Sequence, residues 1–279
     1  MERMSTQKVE NVRQSSPDSD GFSQSATLNP YRFAAFELLN RLRWDFNPES
    51  WRSRAKLRAW KNKYADKKAV ILCNGPSLLK SDLSMLDGYF TFGLNKINLL
   101  FDKTTFRPSC IVSVNPFVIE QNADFFNQTD IPLFLDRVAL KDVRARDNVT
   151  MLHSAGQSKF ARDCSISIYQ GSTVTFVAMQ LAFHIGFRQV ALIGCDHNFT
   201  TTGPANQTVI AGKRDDNHFD PNYFAGGVKW QLPDLPNSEA AYSLALVVYE
   251  TAGRKLVNCT EGGRLELLPR ISLDNFVRS

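Results

Sequence analysis

The sequence predicts an α/β protein built on a Rossmann-like, doubly wound and mostly parallel sheet, with a helical extension at the N-terminus. Short apolar runs alternate with helical patterns from residue 68 onward, which is typical of βαβ units. Several of these runs stop at Gly, Pro, Asn or Ser, the residues that form tight turns. With 279 residues, of which 43% are apolar, the chain can form one large domain and an appendage.

The first part of the chain differs in composition from the rest. Residues 1–28 are polar and rich in Ser, Gln and Asp, which predicts a disordered segment. Residues 29–67 predict a basic amphipathic helical extension, broken near Asn47 and Pro48 because proline interrupts a helix. Residues 68–279 then form the α/β domain.

Residues 41–68 combine many Lys and Arg side chains with Trp44, Phe46, Trp51 and Trp60. One interpretation is a solvated helix that packs its aromatic face on the domain. Another is a peripheral contact with an anionic membrane surface. Nucleic acid is the least favoured partner, because no binding motif accompanies the charge.

The α/β domain is predicted element by element from its apolar runs and turn residues. The predicted strands are Ala69–Cys73, Tyr89–Gly93, Cys110–Val114, Pro132–Leu135, Val149–Leu152, Gln189–Gly194 and Lys255–Asn258. A helix or a short turn of one follows the first strand over residues 78–86. Thr173–Ile185 is apolar almost all round and predicts a buried helix. Glu239–Ala252 is amphipathic and ends at Gly253, a residue that commonly terminates helices.

The turn after the first predicted strand reads Asn74, Gly75, Pro76 and Ser77. A strand, a tight turn and a helix N-terminus leave backbone N–H groups pointing at one spot, so the turn is a candidate phosphate site. An ordinary turn between a strand and a helix is the alternative interpretation.

Other strand ends carry polar residues as well. Asn95, Asn115, Gly194 and Asp196 all follow predicted strands, and parallel strands bring their carboxyl ends to one edge of the sheet. Amides at this edge suit the polar edges of a base or a ribose. Gly171, Ser172 and Thr173 begin the buried helix. They form either a second anion site or a simple cap of that helix.

Residues 197–231 show little regular pattern but contain aromatic residues, as expected of a functional lid. His218 lies in this stretch beside Asp215 and Asp216, and it is the candidate general base. His197, next to Asp196, is a second candidate. The alternative for either histidine is a surface residue without a catalytic role.

Composition sets further limits. The cysteines are odd in number and widely spaced, so they predict buried apolar residues and no disulfide or zinc framework. No apolar run is long enough to cross a membrane, and the N-terminus has no signal-peptide core. We therefore expect a cytoplasmic protein, in peripheral contact with the membrane if the basic segment binds it. We expect no metal site and no permanently bound cofactor.

Several motifs occur in an order that resembles two related groups of proteins. The motifs are Asn-Gly-Pro-Ser-Leu at 74–78, Asn95, Asn115-Pro116 with Glu120-Gln121, Gly194-Cys195-Asp196 and Asn217-His218-Phe219. The resemblance is to the bacterial sialyltransferases of glycosyltransferase family 42 and to the MptE-like family, domain of unknown function 115. It runs from about residue 68 to residue 276 and implies a nucleotide-sugar-binding domain. The segment 220–230 looks closest to MptE-like members found in glycan loci.

The resemblance implies roles for individual residues. Asn74, Gly75, Ser77, Asn95 and Asn115 match residues that hold a CMP-activated sugar in the sialyltransferases. His218 matches the histidine that deprotonates the acceptor hydroxyl in a metal-independent reaction.

The sequence also departs from the sialyltransferase pattern. The tyrosines that stabilise the leaving phosphate are absent after Asp196, where the chain reads His197, Asn198 and Phe199. The arginine before the buried helix is absent too. The candidate substitutes for these leaving-group or substrate contacts are His197, Asn198, Tyr169, Tyr223, Lys213 and Arg214.

Three functions follow from these residues. The first is a glycosyltransferase that moves an acidic sugar from a CMP-activated donor to a glycan acceptor. The second is an MptE-like 6-hydroxymethylpterin pyrophosphokinase, which would use ATP and Mg²⁺ held by Asp196, Asp215 and Asp216. The third is a non-catalytic subunit that binds a nucleotide or a glycan. The nucleotide that binds best discriminates among them, and the sequence leaves the oligomeric state open.

Overall fold

A computed structural model describes residues 29–201 and 203–279. The predicted disorder of residues 1–28 lies outside the described residues. Within them, the predicted fold class is confirmed: a parallel sheet is covered by helices on both faces and preceded by N-terminal helices.

The central sheet has seven strands, and every pair in it is parallel. All the strands predicted from the sequence are present, with ends within one or two residues. The strands in chain order are β1 (Lys68–Leu72), β2 (Phe90–Leu94), β3 (Cys110–Ser113), β4 (Leu133–Asp136), β5 (Val149–Leu152), β6 (Ser154–Ala155), β7 (Ile168–Tyr169), β8 (Gln189–Ile193), β9 (Thr208–Ile210), β10 (Lys229–Gln231) and β11 (Lys255–Asn258).

The strand order is β11-β8-β1-β2-β3-β4-β5, so the direction of winding reverses at β1. Leu72 at the end of β1 is paired with Gly93 of β2 on one side and with Ile193 of β8 on the other. In doubly wound sheets, ligands bind beyond the strand ends at such a reversal. The crevice between the ends of β1 and β8 is therefore the place where the fold predicts a site.

The helices cover both faces of the sheet. They are α1 (Pro30–Asp45), α2 (Pro48–Trp60), α3 (Pro116–Gln121), α4 (Ala123–Gln128), α5 (Val174–Ile185), α6 (Leu235–Thr251) and α7 (Leu273–Arg278). One apolar layer packs α5 and α6 against the face of β1 that carries Ile71. The other layer packs α3, α4 and α7 against the face that carries Val70 and Leu72.

Two predicted elements differ in detail. The helix expected over residues 78–86 is a pair of short 3-10 turns, Pro76–Lys80 and Leu83–Leu86. The irregular stretch 197–231 contains β9 and β10, which pair as a short antiparallel ribbon. These strands are three residues long and β9 is largely exposed, so no apolar alternation marks them in the sequence.

The break between the two N-terminal helices lies where Asn47 and Pro48 predicted it. Asn47 caps α2 by accepting a hydrogen bond from the backbone of Glu49, and Pro48 is the first residue of the helix. The helix α2 lies against β5, where Ser53 Oγ accepts a bond of 2.9 Å from the Met151 N–H. Trp60 packs edge-on against Phe134. The part of the basic segment that forms α2 therefore packs on the domain.

The cysteines are all buried, as predicted. Cys73 follows β1 and Cys195 follows β8, so both thiols lie at the winding reversal. A hydrogen bond with Cys195, together with burial, raises the pKa of the Cys73 thiol. Cys73 Sγ also lies 3.6 Å from Thr175 Oγ1 in the first turn of α5.

Candidate functional site

The turn after β1 meets the end of β8 through a carboxylate. Asp196 Oδ2 accepts a hydrogen bond of 2.6 Å from Ser77 Oγ and one of 3.2 Å from the Ser77 N–H. The hydroxyl and the backbone N–H of Ser77, which were expected to face a phosphate, therefore donate to a carboxylate of the protein itself. The N–H groups at the start of this turn stabilise a negative charge, and the Asp196 carboxylate provides that charge.

Gly75 is required by contacts within the protein. A Cβ atom at this position would lie 2.0 Å from Asp196 Oδ2 and 2.7 Å from the Gly194 carbonyl oxygen. The backbone of Gly75 donates a 2.9 Å bond to that same carbonyl. Substitution of Gly75 would therefore displace Asp196 before it affected any ligand, so it is not a clean test of nucleotide binding.

Asn74 connects the turn to the stretch that was predicted to be a lid. Its side-chain Nδ2 donates to the Leu94 carbonyl at 3.1 Å and to the Tyr223 hydroxyl at 3.0 Å. Its backbone carbonyl accepts a 2.9 Å bond from the Phe219 N–H. Asn74 Oδ1 is buried and accepts no hydrogen bond from residues 29–201 or 203–279. The segment 211–224, called the lid below, is thereby held directly over the end of β1.

His218 lies in this lid and forms a close pair with Asp215. His218 Nδ1 is 2.7 Å from Asp215 Oδ2, and the Asp215 side chain is only 3% exposed. Asp215 also accepts backbone hydrogen bonds from Asn217 at 2.8 Å and from Phe224 at 3.1 Å. A carboxylate that accepts these bonds fixes the proton on Nδ1 and leaves Nε2 free to accept one.

Aromatic rings hold the imidazole of His218 in place. The ring of Tyr223 stacks on it with centroids 4.0 Å apart and planes 2° apart, and Phe224 contacts it edge-on at 5.2 Å. The His218 side chain remains 14% exposed. No group within residues 29–201 and 203–279 hydrogen-bonds to Nε2. The second ring nitrogen of His218 is therefore available to accept a hydrogen bond.

Tyr223, a candidate for leaving-group contact, is buried beneath this arrangement. Its hydroxyl is bonded to Asn74, and burial raises the pKa of its phenol. It therefore supports His218 and Asn74 in the structure, with its own polar atom already in use.

Lys96 is a member of this cluster that the sequence analysis did not select. Its ammonium donates to the Tyr223 carbonyl and to Gln121 Oε1, each at 2.7 Å. It also lies 4.9 Å from the centroid of the Phe224 ring. Burial lowers the pKa of Lys96 to about 8, against the opposing influence of the Asp215 carboxylate. A cation therefore lies beneath the lid, close to the end of β2.

The other amides of the edge have partners that hold the loops together. Asn95, with a φ of 49°, accepts a 3.1 Å bond from Ser113 Oγ at the end of β3. Asn115 caps α3 through its Oδ1 and donates to Gln231 of β10 at 3.1 Å. Both residues lie at the carboxyl edge, as predicted from their positions after strands.

The start of α5 forms the second predicted group. Thr173 caps the helix by accepting a 3.3 Å bond from the Thr175 N–H, and Ser172 accepts one from Asn237. A Cβ at Gly171 would collide with Phe176 and Ala241. Tyr169 is tied by its backbone to Gln180 within α5. These contacts match the capping alternative, and a ligand role for this group stays a prediction.

The remaining candidates lie at the same edge, where the His197 side chain is only 7% exposed. His197 Nε2 lies 2.9 Å from Glu239 Oε1, on a carboxylate that is half exposed. Asn198 and Lys213 are exposed. Arg214 forms a 3.0 Å ion pair with Asp216, and both side chains are exposed.

Two of the groups that complete the cluster are close in sequence to residues that were selected. Asp215 precedes His218 by three residues, a spacing that allows contact across a turn. Lys96 follows directly after Asn95, which was selected for its place after a strand. The bond between Ser77 and Asp196 joins residues that are 119 positions apart, and no local pattern announces it.

The structure also has open clefts away from this cluster. Two of them, of about 380 and 330 Å³, lie at the opposite, amino-terminal edge of the sheet, near Lys68 and Arg188 respectively. They contain none of the selected side chains. Among the described residues, no three His, Cys, Asp or Glu side chains are grouped so as to hold a metal ion, and no helix is long and apolar enough to cross a membrane.

Comparisons with known proteins agree with this fold. The family model described as 6-hydroxymethylpterin diphosphokinase MptE-like matches residues 47–202, more than half of the chain. A solved structure of a MAf glycosyltransferase from Magnetospirillum magneticum AMB-1 is similar, with a TM-score of 0.50 and 16% identity. That match covers 80% of this chain and 38% of the other, so this chain spans well under half of its length. No curated protein sequence matches. The helix α1 and the lid lie outside the residues that the family model matches.

Proposed function

The chain belongs to the MptE-like family, and we propose that it acts as a glycosyltransferase that takes an acidic sugar from a CMP-activated donor. The observation that carries the proposal is the pair of His218 and Asp215, held over Asn74 where the winding of the sheet reverses. The solved MAf structure is named as a glycosyltransferase, and our proposal extends that activity to this chain.

The proposed reaction uses the free nitrogen of His218. The acceptor hydroxyl gives its proton to Nε2, its oxygen attacks the anomeric carbon, and the bond between that carbon and the CMP phosphate breaks. Asp215 holds the imidazolium that results, because it already accepts the Nδ1 proton. Fixing the ring in advance removes the need to orient it during the reaction.

The donor is proposed to lie between the end of β1 and the lid. Asn74 Oδ1, buried and open as an acceptor, would take a hydrogen bond from a base amine or a ribose hydroxyl once the lid opens. The departing phosphate needs positive charge or N–H donors. We propose that Lys96 beneath the lid and Lys213 on its surface supply this positive charge. The acceptor is proposed to be a glycan of a surface polysaccharide or glycoconjugate.

A second function is favoured by the description of the family itself, which names a 6-hydroxymethylpterin diphosphokinase. That reaction would need ATP with Mg²⁺, and the expected ligands were Asp196, Asp215 and Asp216. In this structure each of the three is engaged elsewhere, with Ser77, His218 and Arg214 respectively. The engagement of these carboxylates supports the glycosyltransferase over the diphosphokinase.

The experiment that tests the proposal begins with calorimetric titration of the full chain with CMP, UMP, GDP and ATP. We expect CMP to bind most tightly. Release of CMP from a CMP-activated acidic sugar is then followed with and without EDTA, and we expect turnover to persist with the chelator. Preferential binding of ATP with Mg²⁺, and AMP release in the presence of a hydroxymethylpterin, would instead establish the diphosphokinase. Binding of a nucleotide with no turnover of any donor would support a non-catalytic subunit.

A further inference from the structure

The helix α1 directs most of its large apolar side chains away from the protein. These side chains are between 40 and 85% exposed: Tyr31, Phe36, Leu38, Leu39, Leu42 and Phe46. At 100° per residue, Tyr31, Leu38, Leu39, Leu42 and Phe46 fall within about one third of the helix circumference. They form one continuous stripe, called the outer stripe below.

The opposite face of α1 attaches the helix to the domain mainly through polar contacts. Glu37 accepts a 3.2 Å bond from the Gly156 N–H, and Asn40 accepts one from Arg137. Arg41 donates to Ser167 Oγ at 3.1 Å. Trp44 is the one residue of the helix classed as buried, and it stacks on His153. The usual orientation of a surface helix, apolar side inward, is reversed here.

The reversal means that the outer stripe does not serve the packing of residues 29–201 and 203–279. Contiguous exposed apolar surface on a soluble domain marks a place where another surface binds. We propose that α1 docks on an anionic membrane surface, with the outer stripe at the boundary between headgroups and acyl chains.

The charges that flank the stripe identify this occupant. Arg32 and Arg43 lie on the same border of the stripe, about three helical turns apart, and both are exposed. Among residues 29–201 and 203–279, neither forms an ion pair. The acidic residues of α1 are already engaged, Glu37 with Gly156 and Asp45 with Arg41 and Arg54. A basic border beside an apolar stripe is complementary to anionic lipids.

Aromatic residues occupy both ends of the same surface. Tyr31 begins it, Phe46 ends it, and Trp51 at the start of α2 is 65% exposed. Aromatic rings of this kind favour the headgroup region of a bilayer. A second copy of the chain is a poorer occupant, because two such helices packed together would bring arginines of like charge close to each other without acidic partners.

The proposal does not depend on the activity of the site. The helix α1 lies outside the residues matched by the family model, so it is an addition to the region that defines the family. Its docking can be measured without any substrate.

The test uses the full chain and flotation with two kinds of vesicle, phosphatidylcholine alone and phosphatidylcholine mixed with phosphatidylglycerol. We expect binding to the mixed vesicles and at least about tenfold weaker binding to the neutral ones. The double variant Leu38→Asp with Leu42→Asp should lose about tenfold or more of the affinity, and Arg32→Glu with Arg43→Glu should lose a similar amount.

The matched control is Val247→Asp, which places a charge on an exposed apolar position of α6 and should leave vesicle binding unchanged. Circular dichroism establishes that each variant is folded, which is expected because the changed side chains are exposed. A blue shift of tryptophan emission on vesicle addition, lost in Trp51→Ala, gives a second readout. Sedimentation equilibrium shows whether the chain is a dimer.

Two results would overturn the proposal. One is the absence of flotation of the folded chain with the mixed vesicles, or flotation that Leu38→Asp with Leu42→Asp leaves unchanged. The other is a dimer that this double variant converts to a monomer, since the outer stripe would then be covered by a second copy.

Discussion

His218 and His153 both lie at the carboxyl edge of the sheet, and each stacks on an aromatic ring, but their nitrogens have different partners. His218 stacks on Tyr223 and gives Nδ1 to the buried carboxylate of Asp215. His153 stacks on Trp44 under α1 and shares Nδ1 with the hydroxyl of Ser167.

The surroundings of the two rings explain why one is suited to catalysis and the other to packing. Burial, with Arg137 and Arg41 nearby, lowers the pKa of His153 to about 4, so this ring stays neutral at physiological pH. Its Nε2 is buried and has no partner among the described residues. The ring of His218 is partly exposed, and the Asp215 carboxylate would stabilise the ring after it takes up a proton. Burial and the partner of Nδ1 together distinguish the candidate base from the structural histidine.

The largest effect is expected at His218. Replacement by Gln keeps a polar side chain but removes the base, so kcat for transfer from the CMP-activated donor should fall by roughly 10²- to 10⁴-fold. The affinity for CMP, measured by calorimetry, should change little. His153→Gln is the matched control and should keep most of the activity. A larger loss of kcat in the control would invert the assignment of the two histidines.

A smaller loss is expected from Asp215→Asn. The amide cannot hold the proton of Nδ1 as a carboxylate does, so the ring would lose its fixed tautomer, and kcat should fall at least about 10-fold. The Asp216→Asn variant is the control, because Asp216 pairs with Arg214 at the surface. Equal effects of the two variants on kcat would argue against a special role for Asp215.

The third prediction concerns stability and pH at His153. Its pKa in the folded state, about 4, is below the value of about 6.5 expected when unfolded, so the unfolded chain binds the extra proton first. The contribution of His153 to stability is therefore present above about pH 6.5 and is lost as the pH falls toward 4. The loss should reach about 2 to 3 kcal/mol.

Urea unfolding at several pH values checks this, comparing the wild-type chain with His153→Gln. The free energy of unfolding of the wild type should fall more steeply between pH 6.5 and 4 than that of the variant. Parallel curves would mean that the ring of His153 is protonated equally well in both states.

The smallest effect is expected at His197, which resembles His218 in having a carboxylate partner. Because that partner, Glu239, is half exposed, the pair should contribute no more than about 1 kcal/mol to stability. His197→Ala should change kcat by less than about threefold, since its ring is held by Glu239 and Tyr242 of α6 and not by the lid. A loss as large as that of the His218 variant would move the proposed base to His197.

The sequence predicted those features that depend on neighbouring residues. The run from Ala69 to Leu72 predicts a strand because all its residues are apolar and a turn follows at once. Asn95 and Asn115 were placed at the carboxyl edge by a rule of parallel sheets, and that placement agrees with the structure. The helix break at Asn47 and Pro48 and the cap at Thr173 likewise follow from local chemistry.

Features that depend on distant residues could not be predicted in the same way. The carboxylate of Asp196 fills the turn after β1 because the end of β8 lies beside it in space. The outward orientation of α1 depends on polar partners such as Gly156 and Arg137, which lie far along the chain. A helical pattern shows that an apolar stripe exists, but it does not say which side of the helix meets the domain.

The two thiols at the winding reversal can serve as chemical probes of access to the site. Cys73 and Cys195 directly precede Asn74 and Asp196, and both are shielded by the closed structure. A thiol whose pKa is raised by a hydrogen bond and burial reacts slowly with alkylating reagents, since the thiolate is the nucleophile. The rate at which Cys73 is modified would therefore rise with exposure of the crevice between β1 and β8, and a nucleotide bound there, as the proposed function requires, would slow it.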